Sequence, residues 1–180
     1  MIVEQEKITY RGKEVIFRCA TVDDGEMLLE AYKKVTGETP FLAADADEIN
    51  LTVEQEKAFI EKNNSDPHTL LLLVFVDGQY AGNCSFAGKN STRRTAHRAS
   101  LGIALLREFT GMGLGGIALE RLLAEAKKAG FEQMELEVYS ENTRARKLYE
   151  RLGFVECGSI PDHSRVNGES FDLIRMYKRL

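Results

Sequence analysis

The chain has 180 residues, 43% of them apolar and 29% charged, a composition suited to one hydrophobic core without a second domain. Its 24 Lys and Arg against 28 Asp and Glu leave a net charge of −4, which offers no general attraction for a nucleic-acid backbone or an anionic lipid surface. Three scattered cysteines, Cys19, Cys84 and Cys157, form no CxxC pair and read as small buried hydrophobes in a reducing compartment. The opening residues, MIVEQEKITYRGKE, carry no apolar leader, and the longest apolar run, Leu70 to Val76, is too short to span a bilayer. A cytoplasmic location, with neither nucleic acid nor membrane as partner, is the expectation.

Glu14 to Ala20 predicts a first strand. Asp23 or Asp24 then caps a helix whose apolar stripe is Met27, Leu28, Ala31, Tyr32 and Val35. Gly37 and Pro40 end it, and the acidic, turn-rich stretch to Leu51 predicts a loop able to reach over a site. Thr52 and Gln55 have capping-box spacing for a second helix. Leu70 to Val76 and Gln79 to Phe86 flank an Asp77-Gly78 hairpin turn. Gly88, Asn90 and Ser91 mark the next turn, and Arg98 to Leu106 completes an antiparallel meander. Leu114, Ile117, Ala118, Leu122 and Ala126 then fall at helical spacing up to Gly130. Met134 to Tyr139 predicts a strand, Thr143 to Leu152 a short helix, and Phe154 to Gly158 and Phe171 to Tyr177 two closing strands.

The glycine cluster between meander and helix, Gly111, Gly113, Gly115 and Gly116, is the most informative feature. It aims the free N–H groups of a helix start at whatever lies beyond the strand end, where a phosphate is the natural occupant. The glycines also satisfy GxGxxG literally. A dinucleotide fold would need an opening βαβ unit, however, whereas a meander precedes the motif and too little chain follows it. Tight turning and close packing alone form the other reading.

Two segments carry a resemblance to the GCN5-related N-acetyltransferase family. Thr110-Gly111-Met112-Gly113-Leu114-Gly115 stands where the family motif is Arg/Gln-x-x-Gly-x-Gly/Ala; Gly113 and Gly115 match, while Thr110 replaces the usual long polar residue. Val138 to Phe154 matches V-x-x-x-N-x-x-A-x-x-L-Y-x-x-x-G-F at every fixed position. The closing strand, Phe171 to Tyr177, is similar to that of branches acting on small molecules or protein amino termini. The resemblance spans roughly residues 14 to 180. It implies an α/β (α+β) acyl-CoA N-acyltransferase fold: one domain over 1–180, with 1–13 an extension or extra strand, and a mixed, mostly antiparallel sheet with splayed central strands and flanking helices.

The same resemblance implies acetyl-CoA as cosubstrate, with no metal. Its site would draw on Ala104, Leu105 and Leu106 at the end of the third meander strand, where a bulge frees a donor. Thr110, Gly111, Met112, Gly113, Leu114, Gly115 and Gly116 would follow at the helix start, with Asn142, Arg144 and Lys147 beyond. Asn142 caps the short helix and also fits a cofactor contact. Ala145, Leu148, Tyr149 and Leu152 share one helical face, so Tyr149 points inward; the resemblance makes it the acid that protonates the departing sulfur. Glu108 is the leading candidate for the base, with His97 behind it, while His68 and His163 read as surface residues. The acceptor, a small amine or a protein amino terminus, would sit among the first two helices, the 37–51 loop and the 159–169 hairpin, where Asp45, Asp47 and Glu48 could draw a cation. A non-catalytic acyl-CoA sensor is the alternative, and paired edge strands leave a homodimer open.

Overall fold

A computed structural model describes residues 1–42, 44–89 and 92–180. The turn expected at Asn90 and Ser91 lies outside the described residues. The chain runs through β1 (Glu6–Tyr10), β2 (Lys13–Cys19), α1 (Gly25–Glu38), α2 (Val53–Ser65), β3 (Thr69–Val76), β4 (Gln79–Gly88), β5 (Arg98–Leu105), α3 (Leu114–Lys128), β6 (Gln133–Tyr139), α4 (Thr143–Arg151), β7 (Val155–Val166) and β8 (Glu169–Arg179). The strands form one sheet in the order β1-β2-β3-β4-β5-β6-β8-β7, antiparallel throughout except for the β5–β6 pair.

β3 explains the layering. Its sequence TLLLLVFV is apolar at successive positions because both faces are covered. Leu70, Leu72, Val74 and Val76 join the main core with Leu119, Leu122 and Ala126 of α3. Leu71 and Leu73 face the other way, into a smaller cluster with Leu28 of α1 and Ile60 of α2. Thr52 caps α2 as expected: its hydroxyl accepts from the Gln55 N–H at 3.2 Å, and the Gln55 side chain accepts from the Thr52 N–H at 2.9 Å.

Residues 6–10 take the extra-strand alternative: they form β1, joined to β2 by Arg11 and Gly12, both at positive φ (52° and 79°). The chain departs from its sequence reading in three places. β7 runs on to Val166 and folds against β8 as one long hairpin, with irregular pairing at Glu156/Gly158 and Ile160/Ser164. The Asp24 carboxylate does not cap α1; it takes a bidentate pair from Arg18 at 2.6 and 2.7 Å. Cys19 and Cys84 are buried, but Cys157 is exposed. Among the described residues no helix is long and apolar enough to cross a membrane.

Candidate active site

The parallel pairing of β5 with β6 covers only Arg98–Ser100 against Gln133–Glu135. Beyond that point β5 continues to Leu105 and β6 to Tyr139 without pairing to each other, and a fork opens between them. On its other edge β5 stays in register with β4 as far as Leu105 opposite Gly82. The Leu106 N–H donates to the Ala81 carbonyl at 3.0 Å. Because N–H groups alternate edges along a strand, the Leu105 N–H projects into the fork. The bulge expected around residues 104–106 lies instead in β4, where pairing shifts between Val74/Phe75 and leaves Ala81 the extra residue. Gly82 follows that bulge because a side chain there would run into the Ala104 carbonyl and Leu105. The splay, not a β5 bulge, frees the donor.

α3 begins where the glycines place it. Gly113 is its N-cap at φ +86°, and a Cβ at this position would also collide with the Tyr10 hydroxyl. The Gly116 N–H bonds back to the Gly113 carbonyl at 3.1 Å, which leaves the preceding first-turn N–H groups for a ligand. They face a cleft of about 1060 Å³ whose lining includes five cations: Arg11, Arg107, Arg144, Lys147 and Arg151. Helix-start amides, an absent Cβ and surrounding cations together fit a diphosphate.

Asn142 caps α4 with its side-chain oxygen, which accepts from the Ala145 N–H at 3.2 Å. Tyr149 lies on the inward face of α4, 6% exposed, with its ring edge-on to Phe154 at 5.9 Å. Burial, the sole cause, pushes its phenol up to about 12. A second cavity of about 660 Å³ lies on the far side of the fork, walled by α1, α2 and β6. Val35, Phe41, Leu42, Ile103, Ala104, Asn142 and Tyr149 line both cavities, so Tyr149 belongs to the wall where the two meet.

Most of the residues expected to hold a cofactor line the larger cleft: Ala104, Leu105, Thr110, Gly111, Gly113, Leu114, Gly115, Gly116, Asn142, Arg144 and Lys147. Leu106 lines the second cavity instead, and Met112 packs against the core. Glu108 lines neither cavity. A 3-10 turn over Arg107–Phe109 aims it outward to Lys34, 2.8 Å away. His97 is exposed, at the paired base of the fork. Asp45 and Glu48 cap a short turn, and neither they nor Asp47 reach the second cavity. Its carboxylates are Glu56 and Glu137, and His163 lines it too, 6.2 Å from the Tyr139 ring. Cys84 lines neither cavity, and burial pushes its thiol up to about 12, which leaves no thiolate for an acyl-enzyme.

Sequence spacing did not single out Tyr10, Arg11, Glu56 or Glu137: the first two helices were expected around the acceptor, but which side chains face the site depends on the packing of distant elements. The one available signal was the Arg11-Gly12 turn pattern, which marks a hairpin and hence a tip beside the sheet end. Among the described residues no cluster of His, Cys, Asp and Glu could hold a metal ion.

A family model described as "Acetyltransferase (GNAT) family" matches residues 29–154. The crystal structure of a GNAT-family acetyltransferase from Streptococcus pneumoniae is 29% identical, with a TM-score of 0.87 over 92% of this chain and 99% of that one. The L-amino acid N-acyltransferase MnaT of Escherichia coli (strain K12) is 29% identical over 104 residues, 58% of this chain and 60% of MnaT. The ribosomal protein bS18-alanine N-acetyltransferase of Haemophilus influenzae is 41% identical over 54 residues, 30% of this chain and 36% of that protein. The chain spans about half the length of the curated relatives it matches.

Proposed function

The chain belongs to the acetyltransferase (GNAT) family, and from that premise we propose that it moves an acetyl group from acetyl-CoA to a primary amine by direct attack. The observation that carries the proposal is Tyr149, a buried, protonated phenol at the junction of a cation-lined cleft and a second cavity. The α3 first turn, with Arg144 and Lys147, would hold the diphosphate. The Leu105 N–H in the fork would orient the pantetheine arm. Acetyl-CoA supplies the activated acyl carbon and a thiolate leaving group.

The amine nitrogen bonds to the thioester carbonyl carbon as the carbon–sulfur bond breaks. Tyr149 gives its proton to the sulfur, and the nitrogen's surplus proton goes to solvent, from which Tyr149 is re-protonated. Juxtaposing amine and thioester across the fork contributes up to about 7–11 kcal/mol in favourable cases. The relatives' names point to two acceptor types, free amino acids for MnaT and a ribosomal-protein alanine for the Haemophilus influenzae enzyme. A primary amine is what the two share.

The test is release of free coenzyme A thiol from acetyl-CoA with a panel of amines. Amine-dependent thiol release above background hydrolysis supports transfer. Calorimetric binding of acetyl-CoA with no transfer to any amine would replace the enzyme with a sensor.

A further inference from the structure

The two cavities that share the wall containing Tyr149 differ in charge. The cofactor cleft carries five Lys and Arg side chains against the carboxylates of Glu38 and Glu120, whereas among the described residues the second cavity is lined by no Lys or Arg. Its carboxylates are Glu56 and Glu137, and His163 is part of the same wall. Glu137 is already tied to Arg175 at 2.9 Å. Glu56, by contrast, has no hydrogen-bond or ion-pair partner among the described residues, and burial alone raises its pKa above the ordinary carboxylate value. Much of the remaining wall is apolar: Leu28, Tyr32, Leu51, Phe59 and Leu71. Phe59 and Leu51 stand at 51% and 41% exposure, apolar surface left uncovered by the fold itself.

Building on the acetyl-transfer reading, we propose that the second cavity selects a carboxylate-free monoamine with an apolar or aromatic body, drawn in as its ammonium by Glu56 and releasing that proton to solvent before its nitrogen attacks the thioester. A free amino acid would carry its carboxylate into a cavity whose described lining offers two carboxylates and no Lys or Arg, with the His163 imidazole its one basic side chain, so that charge is desolvated without a strong partner. A polyamine would bring several ammonium groups against apolar walls with one unpaired carboxylate to meet them. A monoamine satisfies both sides: its charge answers Glu56 and its body covers Phe59, Leu51 and Tyr32. The volume of about 660 Å³ is ample for a ring and a short side arm.

Phenethylamine, phenylalanine, phenylalaninamide, spermidine and a short peptide with an N-terminal phenylalanine form the probe set, compared by kcat/KM for thiol release. Phenethylamine is expected to exceed phenylalanine at least a hundredfold, with phenylalaninamide close to phenethylamine. Glu56→Gln should raise KM for phenethylamine about tenfold while kcat changes less than threefold. Phe59→Ser, at an exposed rim position that leaves the core intact, should narrow the preference for phenethylamine over ethylamine. Parity of phenylalanine with phenethylamine, or a tenfold lead for spermidine or the peptide, overturns the proposal while acetyl transfer stands. If no amine releases thiol, acetyl transfer fails instead. Calorimetric titration of the coenzyme A complex then still decides the cavity: phenethylamine binding over phenylalanine supports it, and no discrimination overturns it.

Discussion

A phenol can protonate a departing thiolate only while it keeps its own proton, and burial of Tyr149 secures that. With its pKa pushed up to about 12, the acid form persists across the whole range in which an amine becomes neutral. The kcat profile is therefore expected to rise with pH as the acceptor loses its proton, with no falling limb from Tyr149 below about pH 11. A falling limb between pH 8 and 10 that Tyr149→Phe abolishes would contradict this. Tyr149→Phe itself should lower kcat about a hundredfold and leave the calorimetric affinity for acetyl-CoA within about threefold. Tyr149 was legible because inward direction follows from helical spacing with Ala145, Leu148 and Leu152. Glu108 was not: sequence places a carboxylate after β5, but only the turn at Arg107–Phe109 decides that it meets Lys34. Glu56 and Glu137 come from elements far apart in the chain, and no local pattern joins them.

At the scale of elements, the fork depends on where β5 and β6 stop pairing, and Glu135 stands at the last pair. Its carboxylate accepts from Arg98, from Lys89 at 2.7 Å and from Gln133 at 2.9 Å. Burial alone would raise its pKa, but these donors outweigh it and hold the group at about 2. A depressed carboxylate contributes stability fully above the unfolded value near 4.3 and loses it as pH falls towards 2. Allowing for solvent around Lys89 and Arg98, the contribution is about 1–2 kcal/mol. Glu135→Gln should therefore lower urea-unfolding stability by that amount at pH 7, and the gap should close between pH 4 and pH 2; a gap constant over that window sinks the argument. The α3 start gives a second test. Gly113→Ala must hold φ near +86° and displace Tyr10, at a cost of about 1–2 kcal/mol. Titration calorimetry should show acetyl-CoA bound about tenfold more weakly, and unchanged affinity would remove the α3 start from the diphosphate site. The glycine cluster announced this helix start, since few other sequences permit it. The length of β7 was hidden: Pro161 and a polar run look like loop, and only pairing with β8 makes them a strand.

Across the whole molecule, the cofactor cleft is built from segments that are distant in the chain: the β1–β2 turn, the end of β5, the start of α3 and the face of α4. The order of elements was readable from periodicity and turn residues. The placement of β6 beside β5 and of β8 between β6 and β7 was not, because periodicity carries no information about strand neighbours. A ligand that touches all these segments binds only the folded chain, so binding and stability must be linked. At a hundredfold excess over its dissociation constant, acetyl-CoA should stabilise the fold by about 2.7 kcal/mol. For a chain of this size that is a rise in Tm of about 5–10 °C. Arg11→Ala, at the exposed hairpin tip, should leave the ligand-free Tm within about 1 °C because it removes no buried contact. It should reduce the ligand-induced rise if the tip closes over the phosphates. A full-sized rise in that variant would detach the hairpin from the binding site, and no rise in the unaltered protein would mean that these segments do not form a common cofactor cleft.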